Sequence, residues 1–191
     1  MEIRFATPAD AAGILAVYAQ YIDTPVTFET ELPSLASFSA RVAAIAARYP
    51  YLVCLDGEGR VRGYAYAHAQ HERAAYQWNA ELSIYLDRAW RGHGIGSRLY
   101  PVLFDILRLQ GARTLYALVT VPNAASERLH ARFGFTAMGV QRGAGFKAGR
   151  WHDVAWFVKR VAPLDESPLP LLPVGAVARA AIEKALARFQ G

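Results

Sequence analysis

Residues 91–96 read Arg91-Gly92-His93-Gly94-Ile95-Gly96, a glycine-rich run between two apolar patterns. The preceding residues 82–86 are typical of a strand, and residues 99–107 carry apolar side chains at helical spacing. A strand, a glycine-rich bend and a helix N-terminus form a phosphate-binding geometry, because backbone N–H groups converge there and the helix dipole adds roughly half a positive charge. The alternative is a strand–helix turn that holds no ligand.

The spacing of the glycines separates three kinds of phosphate loop. A Walker loop requires Lys and then Ser or Thr after its last glycine, and no Lys follows here. A dinucleotide fingerprint requires Gly-x-Gly-x-x-Gly, whereas these glycines fall at positions 92, 94 and 96. The run instead resembles Arg/Gln-x-x-Gly-x-Gly/Ala, the pyrophosphate loop of the GCN5-related N-acetyltransferases (GNAT). That resemblance implies binding of acetyl-CoA.

The bulk composition limits the class of protein. The 191 residues suit one domain with a possible tail, and 53% hydrophobic residues suffice for a packed core. The net charge of +5 suits an anionic cofactor, but the basic residues are spread too evenly to predict nucleic-acid binding. No apolar run has the length of a membrane span and the N-terminus lacks a signal-peptide pattern, so we expect no membrane association. The single cysteine, Cys54, predicts a buried thiol without a nucleophilic role and a cytoplasmic location.

The order of the predicted elements favours an α+β fold. Strands are predicted at residues 2–6, 51–55, 61–69, 78–87, 115–120, 135–140 and 153–161. Helices are predicted at residues 7–21, 34–49, 94–110, 123–133 and 176–189. Antiparallel hairpins come first and a βαβ unit lies in the middle, which resembles a GNAT fold with a mixed central β-sheet flanked by helices. Pro101 lies inside the main helix, where we expect a kink or a lost hydrogen bond.

The composition changes after the last predicted strand. We expect a GNAT acetyltransferase domain at residues 1–162, followed at 163–191 by a proline-rich tail and a C-terminal helix. Prolines at 163, 168, 170 and 173 make the start of this tail stiff and extended. The helix at 176–189 is either an appended surface helix or a tail that contacts a second subunit.

A second motif lies at the start of the next predicted helix. Asn123, Ser126 and His130, followed by Phe133-Gly134-Phe135, resemble the GNAT pattern Asn-x-x-Ala/Ser-x-x-Leu-Tyr-x-x-x-Gly-Phe. The resemblance implies that the Asn123 side chain binds the cofactor arm. It also implies that His130 lies near the thioester sulfur, where Tyr is usual. The alternatives are a helix cap for Asn123 and a partly buried histidine with one hydrogen bond for His130.

A longer resemblance narrows the family. Stretches at residues 27–33, 63–67, 73–78, 81–85, 144–147, 151–154 and 172–174 resemble the phosphinothricin acetyltransferases and their relatives that act on methionine sulfoximine. These enzymes acetylate the α-amino group of glutamate-like amino acids that carry a tetrahedral phosphorus or sulfur centre. The resemblance implies acetyl-CoA as co-substrate, no metal and a homodimer.

Acetyl transfer to an amine assigns roles to individual residues. Amino groups have ordinary pKa values of about 8 to 10, so a base assists attack near neutral pH. Glu81 lies in an apolar context that can raise its pKa, and by resemblance it is the base; the alternative is a structural salt bridge. By the same resemblance, backbone N–H groups of Ser83–Tyr85 contact the acetyl carbonyl, and His130 protonates the leaving thiolate or polarises the site.

Two groups of residues are expected to bind the two substrates. The predicted cofactor-binding residues are Ser83, Ile84, Tyr85, Arg91, Gly92, His93, Gly94, Ile95, Gly96, Asn123 and Ser126. The predicted substrate-binding residues are Phe28, Arg73, Tyr76, Ala80, Leu82 and Lys147. Among these, Arg73 is the expected clamp for an anionic group, because a guanidinium binds a carboxylate or phosphinate through two hydrogen bonds.

The leading hypothesis is an acetyl-CoA-dependent N-acetyltransferase for phosphinothricin-like or methionine sulfoximine-like amino acids, with Glu81 as base and His130 as helper. One alternative is a GNAT enzyme for another small amine or a protein N-terminus. A second alternative is a non-catalytic acyl-CoA-binding module, which the presence of Glu81 and His130 disfavours. The expected partners are a small-molecule amine and a second copy of the chain, without nucleic acid or membrane.

Overall fold

The computed structural model describes residues 1–188 as one mixed sheet with helices on both faces. The strands are β1 Glu2–Phe5, β2 Tyr51–Leu55, β3 Val61–Ala69, β4 Asn79–Leu86, β5 Thr114–Val121, β6 Thr136–Lys147 and β7 Arg150–Arg160. The α-helices are α1 Ala11–Ala19, α2 Leu35–Ala46, α3 Ile95–Gln110, α4 Ala124–Arg132 and α5 Arg179–Ala187. Within residues 1–188, none of the helices combines the length and apolar character needed to cross a bilayer.

The sheet confirms the predicted α+β order. Its strands follow the sequence β1-β2-β3-β4-β5-β7-β6, and β4 and β5 form a parallel pair whereas the other neighbours are antiparallel. Helix α3 connects the parallel pair, so the expected βαβ unit is present. It begins at Gly94 and ends at Gly111, as predicted, and continues through Pro101, whose missing N–H removes one helical hydrogen bond.

The last hairpin is longer than the sequence predicted. Strand β6 continues to Lys147 and β7 begins at Arg150, whereas the predicted strands left residues 141–152 outside the sheet. Glycines in this stretch weaken its strand pattern, and the pairing shifts register between Gln141 and Gly145. Helices α1 and α2 end earlier than predicted, at Ala19 and Ala46.

Two hydrophobic cores lie on opposite faces of the sheet, and β4 contributes to both. Ala80 and Leu82 belong to the core that includes α3, whereas Tyr85 packs against the core formed with α1 and α2. Because side chains alternate along a strand, Glu81 and Ser83 share the α1–α2 face with Tyr85. This alternation places the predicted base on the opposite face from α3.

The C-terminal segment packs on the body formed by residues 1–162. Leu171 and Ala185 are buried in the core that includes α3. The Trp78 indole N–H donates to the Leu169 carbonyl, and Gln110 Nε2 donates to the Leu172 carbonyl. Helix α5 is shorter than the predicted helix at 176–189, and residues 189–191 lie outside the described residues.

Candidate active site

A cleft opens where β4 and β5 separate. Their pairing ends at Leu82 and Ala117, although the two strands continue to Leu86 and Val121. A small cavity of about 70 Å³, here called the cleft cavity, lies in this opening and is lined by both strands. The β4 edge at Ser83–Tyr85 therefore presents peptide groups to the cleft rather than to β5. These are the residues predicted to contact the acetyl carbonyl.

The glycine-rich run lines a larger groove of about 570 Å³, here called the loop groove. Gly92 and Gly94 have φ angles of 82° and 78°, a left-handed conformation that favours glycine. Gly96 differs from these two, since a Cβ there would make an ordinary contact of 3.4 Å with the Leu129 side chain of α4. Gly94 is the N-cap of α3, so the first amide groups of the helix point toward the groove.

The charges around the loop groove fit a diphosphate. Arg88, Arg91 and Arg132 line it, and the Arg88 and Arg91 guanidinium groups lie 5.5 and 5.3 Å from the Tyr21 ring centre. Together with the helix dipole, these cations favour an anion at the N-terminus of α3. His93 departs from the prediction, because it lies outside the groove lining. Its ring packs on the Trp90 ring, with 5.4 Å between their centres, and its backbone N–H donates to the Trp90 carbonyl.

Asn123 is the N-cap of α4. Its side-chain Oδ1 accepts a hydrogen bond from the Ser126 backbone N–H at 3.2 Å, and its backbone N–H donates to the Glu127 carboxylate at 2.8 Å. The helix-cap alternative is therefore confirmed. Asn123 and Ser126 also line both the cleft cavity and the loop groove, so the cap lies where the predicted cofactor arm would pass.

His130 is buried at the wall of the cleft cavity. Its Nδ1 lies 2.8 Å from the Ser126 carbonyl, which can only accept, so Nδ1 carries the proton and Nε2 accepts from the Tyr100 hydroxyl at 2.8 Å. Burial lowers the pKa of the His130 ring, and the hydrogen bond to Ser126 opposes this shift. A neutral ring with both nitrogens occupied does not favour the predicted proton transfer to a thiolate.

Glu81 lies between the cleft cavity and a second cavity on the α1–α2 face of the sheet, and lines both. Burial raises the pKa of its carboxyl, whereas the charges of His68 and His71 lower it. A raised pKa makes the carboxylate a stronger base. Its position at the cleft and its burial are the properties that the predicted base requires.

The second cavity has a volume of about 390 Å³ and an aromatic wall, and it is called the aromatic cavity below. Its aromatic lining residues are Tyr18, Phe28, Phe38, Tyr51, Tyr64, Tyr66 and Tyr85. The cavity also contains an ion pair between Arg41 and Glu29, with 2.6 Å between the nearest atoms. The other carboxylate oxygen of Glu29, Oε2, is buried and has no hydrogen-bond partner among residues 1–188.

The predicted substrate residues divide into four groups, of which Lys147 forms the last. Phe28 lines the aromatic cavity, as expected. Arg73 and Tyr76 lie on an exposed turn outside its lining, because the turn projects from the end of β3. Ala80 and Leu82 belong to the core with α3, as strand alternation requires, and Leu82 also lines the cleft cavity.

Lys147 is also misplaced by the prediction. It is buried, and its ammonium donates to the carbonyls of Thr24, Thr27 and Glu29. Its three donors are thus used by the loop between α1 and α2, so the side chain supports the loop that carries Phe28 rather than a ligand.

Sequence reasoning missed several residues of the aromatic cavity. Arg41 and Glu29 come from α2 and the α1–α2 loop, whose position over β4 no local motif indicates. His68 was detectable, because the antiparallel pairing of β3 with β4 places it directly opposite Glu81. The alternation of Tyr64, Tyr66 and His68 along β3 was the available signal.

Comparisons with known proteins agree with this geometry. A GNAT acetyltransferase domain matches residues 3–156. A phosphinothricin N-acetyltransferase of Streptomyces viridochromogenes is 39% identical over 91% of this chain and 94% of its own length. An L-methionine sulfoximine/L-methionine sulfone acetyltransferase of Pseudomonas aeruginosa is 34% identical over 87% of this chain and 98% of its own length.

A solved structure gives the same result in three dimensions. The phosphinothricin acetyltransferase of Sinorhizobium meliloti in complex with acetyl-CoA superposes with a TM-score of 0.83 at 34% identity, covering 90% of this chain and 97% of that one. The likeness extends over nearly the whole of both chains and includes the sheet whose central strands separate at the cleft. The chain therefore belongs to the GNAT family of acetyltransferases, and it is an N-acetyltransferase with acetyl-CoA as its co-substrate.

Proposed function

We propose that this enzyme acetylates the α-amino group of a small amino acid of the phosphinothricin or methionine sulfoximine kind. The observation that carries the proposal is the position of Glu81, which lines both the cleft cavity and the aromatic cavity. An amine in the aromatic cavity can reach the carboxylate from one side, and a thioester in the cleft can approach from the other. The named activities of the similar Streptomyces and Pseudomonas enzymes support this substrate class.

The chain binds the diphosphate of acetyl-CoA in the loop groove and its acetyl group in the cleft. The amides at the start of α3, with Arg88 and Arg91, hold the diphosphate, and Asn123 and Ser126 line the path toward the cleft. Acetyl-CoA supplies an acetyl group activated as a thioester. The free edge of β4 at Ser83–Tyr85 orients this group, because backbone N–H groups there can donate to the acetyl oxygen.

Glu81 then removes a proton from the substrate ammonium group. Its buried carboxylate has a raised pKa, which improves proton transfer from an amine whose pKa lies several units higher. In this proposal His130 has a positioning role: its neutral ring holds the Tyr100 hydroxyl and the start of α4 at the cleft wall.

Arg41 replaces Arg73 as the proposed clamp for the substrate carboxylate. It lines the aromatic cavity together with Glu81, and its ion pair with Glu29 leaves guanidinium donors for a second acceptor. A carboxylate on Arg41 and an ammonium group near Glu81 would orient an α-amino acid across the cavity.

The test measures thiol release from acetyl-CoA with phosphinothricin and with methionine sulfoximine. Glu81→Gln is expected to lower kcat by about 10²- to 10⁴-fold, the usual contribution of a general base, while Glu58→Gln in the exposed β2–β3 turn retains wild-type rates. Arg41→Gln is expected to raise KM for the amine about tenfold or more, because a charge-assisted hydrogen bond contributes about 1.5–3 kcal/mol. Wild-type turnover by the Glu81 variant would contradict the proposal.

A second candidate substrate is a small amine without an anionic tail. The Arg41–Glu29 pair is already neutralised, and the unpaired Glu29 oxygen can accept a hydrogen bond from a second donor on the substrate. A panel of amino acids, polyamines and peptide N-termini in the thiol-release assay decides between the two candidates. Acetyl-CoA binding without turnover of any amine would instead indicate a non-catalytic binding module.

We further propose a homodimer formed through the β6–β7 hairpin. Support comes from exposed apolar side chains on this edge of the sheet, which are Met138, Val140, Phe146 and Trp151. The Phe146 and Trp151 rings contact each other, with 5.4 Å between their centres, and exposed apolar patches are typical of protein–protein contact sites. Light scattering on a sizing column is expected to give twice the 21.0 kDa chain mass for the wild type, and the monomer mass for Trp151→Glu. A wild-type monomer would contradict the proposal.

A cytoplasmic location completes the proposal. Its support is Cys54, a single buried thiol that has no second cysteine in the sequence to pair with. Cell fractionation with detection of the tagged chain tests it, and recovery outside the cytoplasmic fraction would contradict it.

A further inference from the structure

The antiparallel pairing of β3 with β4 places His68 directly opposite Glu81. Nε2 of the ring lies 3.7 Å from Oε1 of the carboxylate. Nδ1 lies 2.9 Å from the Ala69 carbonyl, an acceptor, so Nδ1 carries a proton and Nε2 is the nitrogen that faces Glu81. With Nδ1 protonated, the neutral ring has a lone pair on Nε2, which can accept a proton that the Glu81 carboxyl carries.

The two groups differ in their access to water. The Glu81 side chain is 21% exposed and the His68 side chain is 37% exposed, and both line the aromatic cavity. The pair therefore extends from the buried reaction centre toward solvent. A gap of 3.7 Å is closed by one bridging water or by the tightening that accompanies substrate binding.

Acetyl transfer from acetyl-CoA to an ammonium group produces an amide, a thiol and one proton. If Glu81 is the base, as proposed above, this proton arrives on a half-buried carboxylate in every turnover. The carboxylate must lose it before the next cycle, and its raised pKa makes this loss slower. A second group that accepts the proton and contacts water would meet this need.

We propose that His68 accepts the substrate-derived proton from Glu81 and releases it to water. The proton leaves the ammonium nitrogen for the Glu81 carboxylate, and the freed nitrogen lone pair attacks the thioester carbon. The C–S bond then breaks, and the second proton lost from nitrogen protonates the departing thiolate, so that one proton remains on Glu81. The protonated carboxyl then transfers the proton to Nε2 of His68, and the resulting imidazolium returns it to solvent. Imidazole suits this step because its ordinary pKa of about 6.5 lets it gain and lose a proton near neutral pH.

Other groups around Glu81 do not offer the same path. The titratable and charged residues that face it are Tyr66 and His68 on β3, Tyr116 on β5, Glu29 and Arg41 on the α1–α2 side, and His71 on the β3–β4 turn. Burial raises the pKa of Tyr66, and Arg41 is held by Glu29. His130 is neutral and its Nε2 is occupied by Tyr100.

The experiment combines three variants of the full-length enzyme with chemical rescue. His68→Ala opens space beside Glu81 and is expected to lower kcat about tenfold or more, with partial recovery when imidazole is added to the assay. His68→Gln retains a polar side chain of similar reach that cannot carry a proton, and it is expected to be as slow as His68→Ala. His71→Ala is the matched control, because it removes the other histidine charge that acts on Glu81, and its rate is expected to be independent of imidazole.

The outcomes separate this inference from the proposed function. Wild-type kcat in His68→Gln, or a slow, correctly folded His68→Ala enzyme that imidazole does not accelerate, would overturn the role of His68 while leaving Glu81 as the base. Full activity of Glu81→Gln would overturn the proposed base itself. Acceleration of His68→Ala by imidazole, without an effect on Glu81→Gln, would support proton transfer through His68.

Discussion

Replacing Gly94 by Ala tests whether the glycine-rich run works through its backbone conformation. Gly94 has a φ of 78°, and a Cβ there would meet no heavy atom within 4 Å, so the expected penalty is conformational rather than steric. A left-handed conformation costs an alanine about 1–2 kcal/mol. The smaller entropy of the unfolded chain offsets about 0.4–1 kcal/mol of this penalty. A net loss of about 1 kcal/mol in unfolding free energy follows.

Gly59→Ala is the matched control. Gly59 has a φ of 76° and equally open surroundings, but it lies in the β2–β3 turn. Both variants are expected to lose similar stability, about 2–4 °C in Tm for a chain of this size. Only Gly94→Ala disturbs the backbone conformation of the loop whose amides face the groove. Loss of one charge-assisted hydrogen bond there contributes about 1.5–3 kcal/mol, so KM for acetyl-CoA is expected to rise by about tenfold or more.

Urea unfolding measures the first effect, and initial rates against acetyl-CoA concentration measure the second. Calorimetric titration with CoA checks that the change in KM reflects binding. The reasoning fails if both alanine variants bind CoA equally well. It also fails if Gly94→Ala retains wild-type stability, because the left-handed conformation would then carry no penalty.

Three further predictions follow from buried polar contacts. The Arg4 guanidinium holds the pKa of the Asp10 carboxyl at about 2, below its usual 3.8. This shift contributes about 2 kcal/mol of unfolding free energy above pH ~4, and the contribution is lost as the pH falls toward ~2. In urea titrations, the unfolding free energies of Asp10→Asn and wild type should therefore converge at pH ~2. Lys147→Met frees the loop that carries Phe28, so KM for the amine should rise by about tenfold while KM for acetyl-CoA stays constant; equal changes in both would contradict this reading. Gln110→Leu removes the side-chain donor to the Leu172 carbonyl and one of two donors to the Arg48 carbonyl, so limited proteolysis should cleave the proline-rich segment faster than in wild type.

The parts of the fold that the sequence predicted depend on local signals. Strands β2 and β3 begin and end at the predicted residues, because their apolar alternation is interrupted by the turn at residues 56–59. The cofactor side is similarly local. The glycine-rich loop and the Asn123 cap each lie at a helix N-terminus that is recognisable from a few consecutive residues.

The amine side could not be predicted in the same way. Arg41 reaches the aromatic cavity only because α2 packs over β4, and Lys147 is drawn to the α1–α2 loop from a strand far along the chain. Both placements depend on tertiary packing. Arg73 and Arg41 are both solvent-exposed arginines and carry the same sequence signal, so the sequence could not indicate which of them lines the aromatic cavity.

Strand β4 separates the proposed sites of the two substrates. Its even-numbered side chains anchor it to the core with α3, its odd-numbered side chains face the aromatic cavity, and its free edge lines the cleft. Among residues 1–188, the cleft cavity and the aromatic cavity share only Glu81, Ser83 and Tyr85. Substitutions on α2 or β3 are therefore expected to change which amine is accepted without changing the affinity for acetyl-CoA. The register between β3 and β4 keeps His68 beside Glu81, since a slip of one residue would place it opposite a side chain that faces the other core.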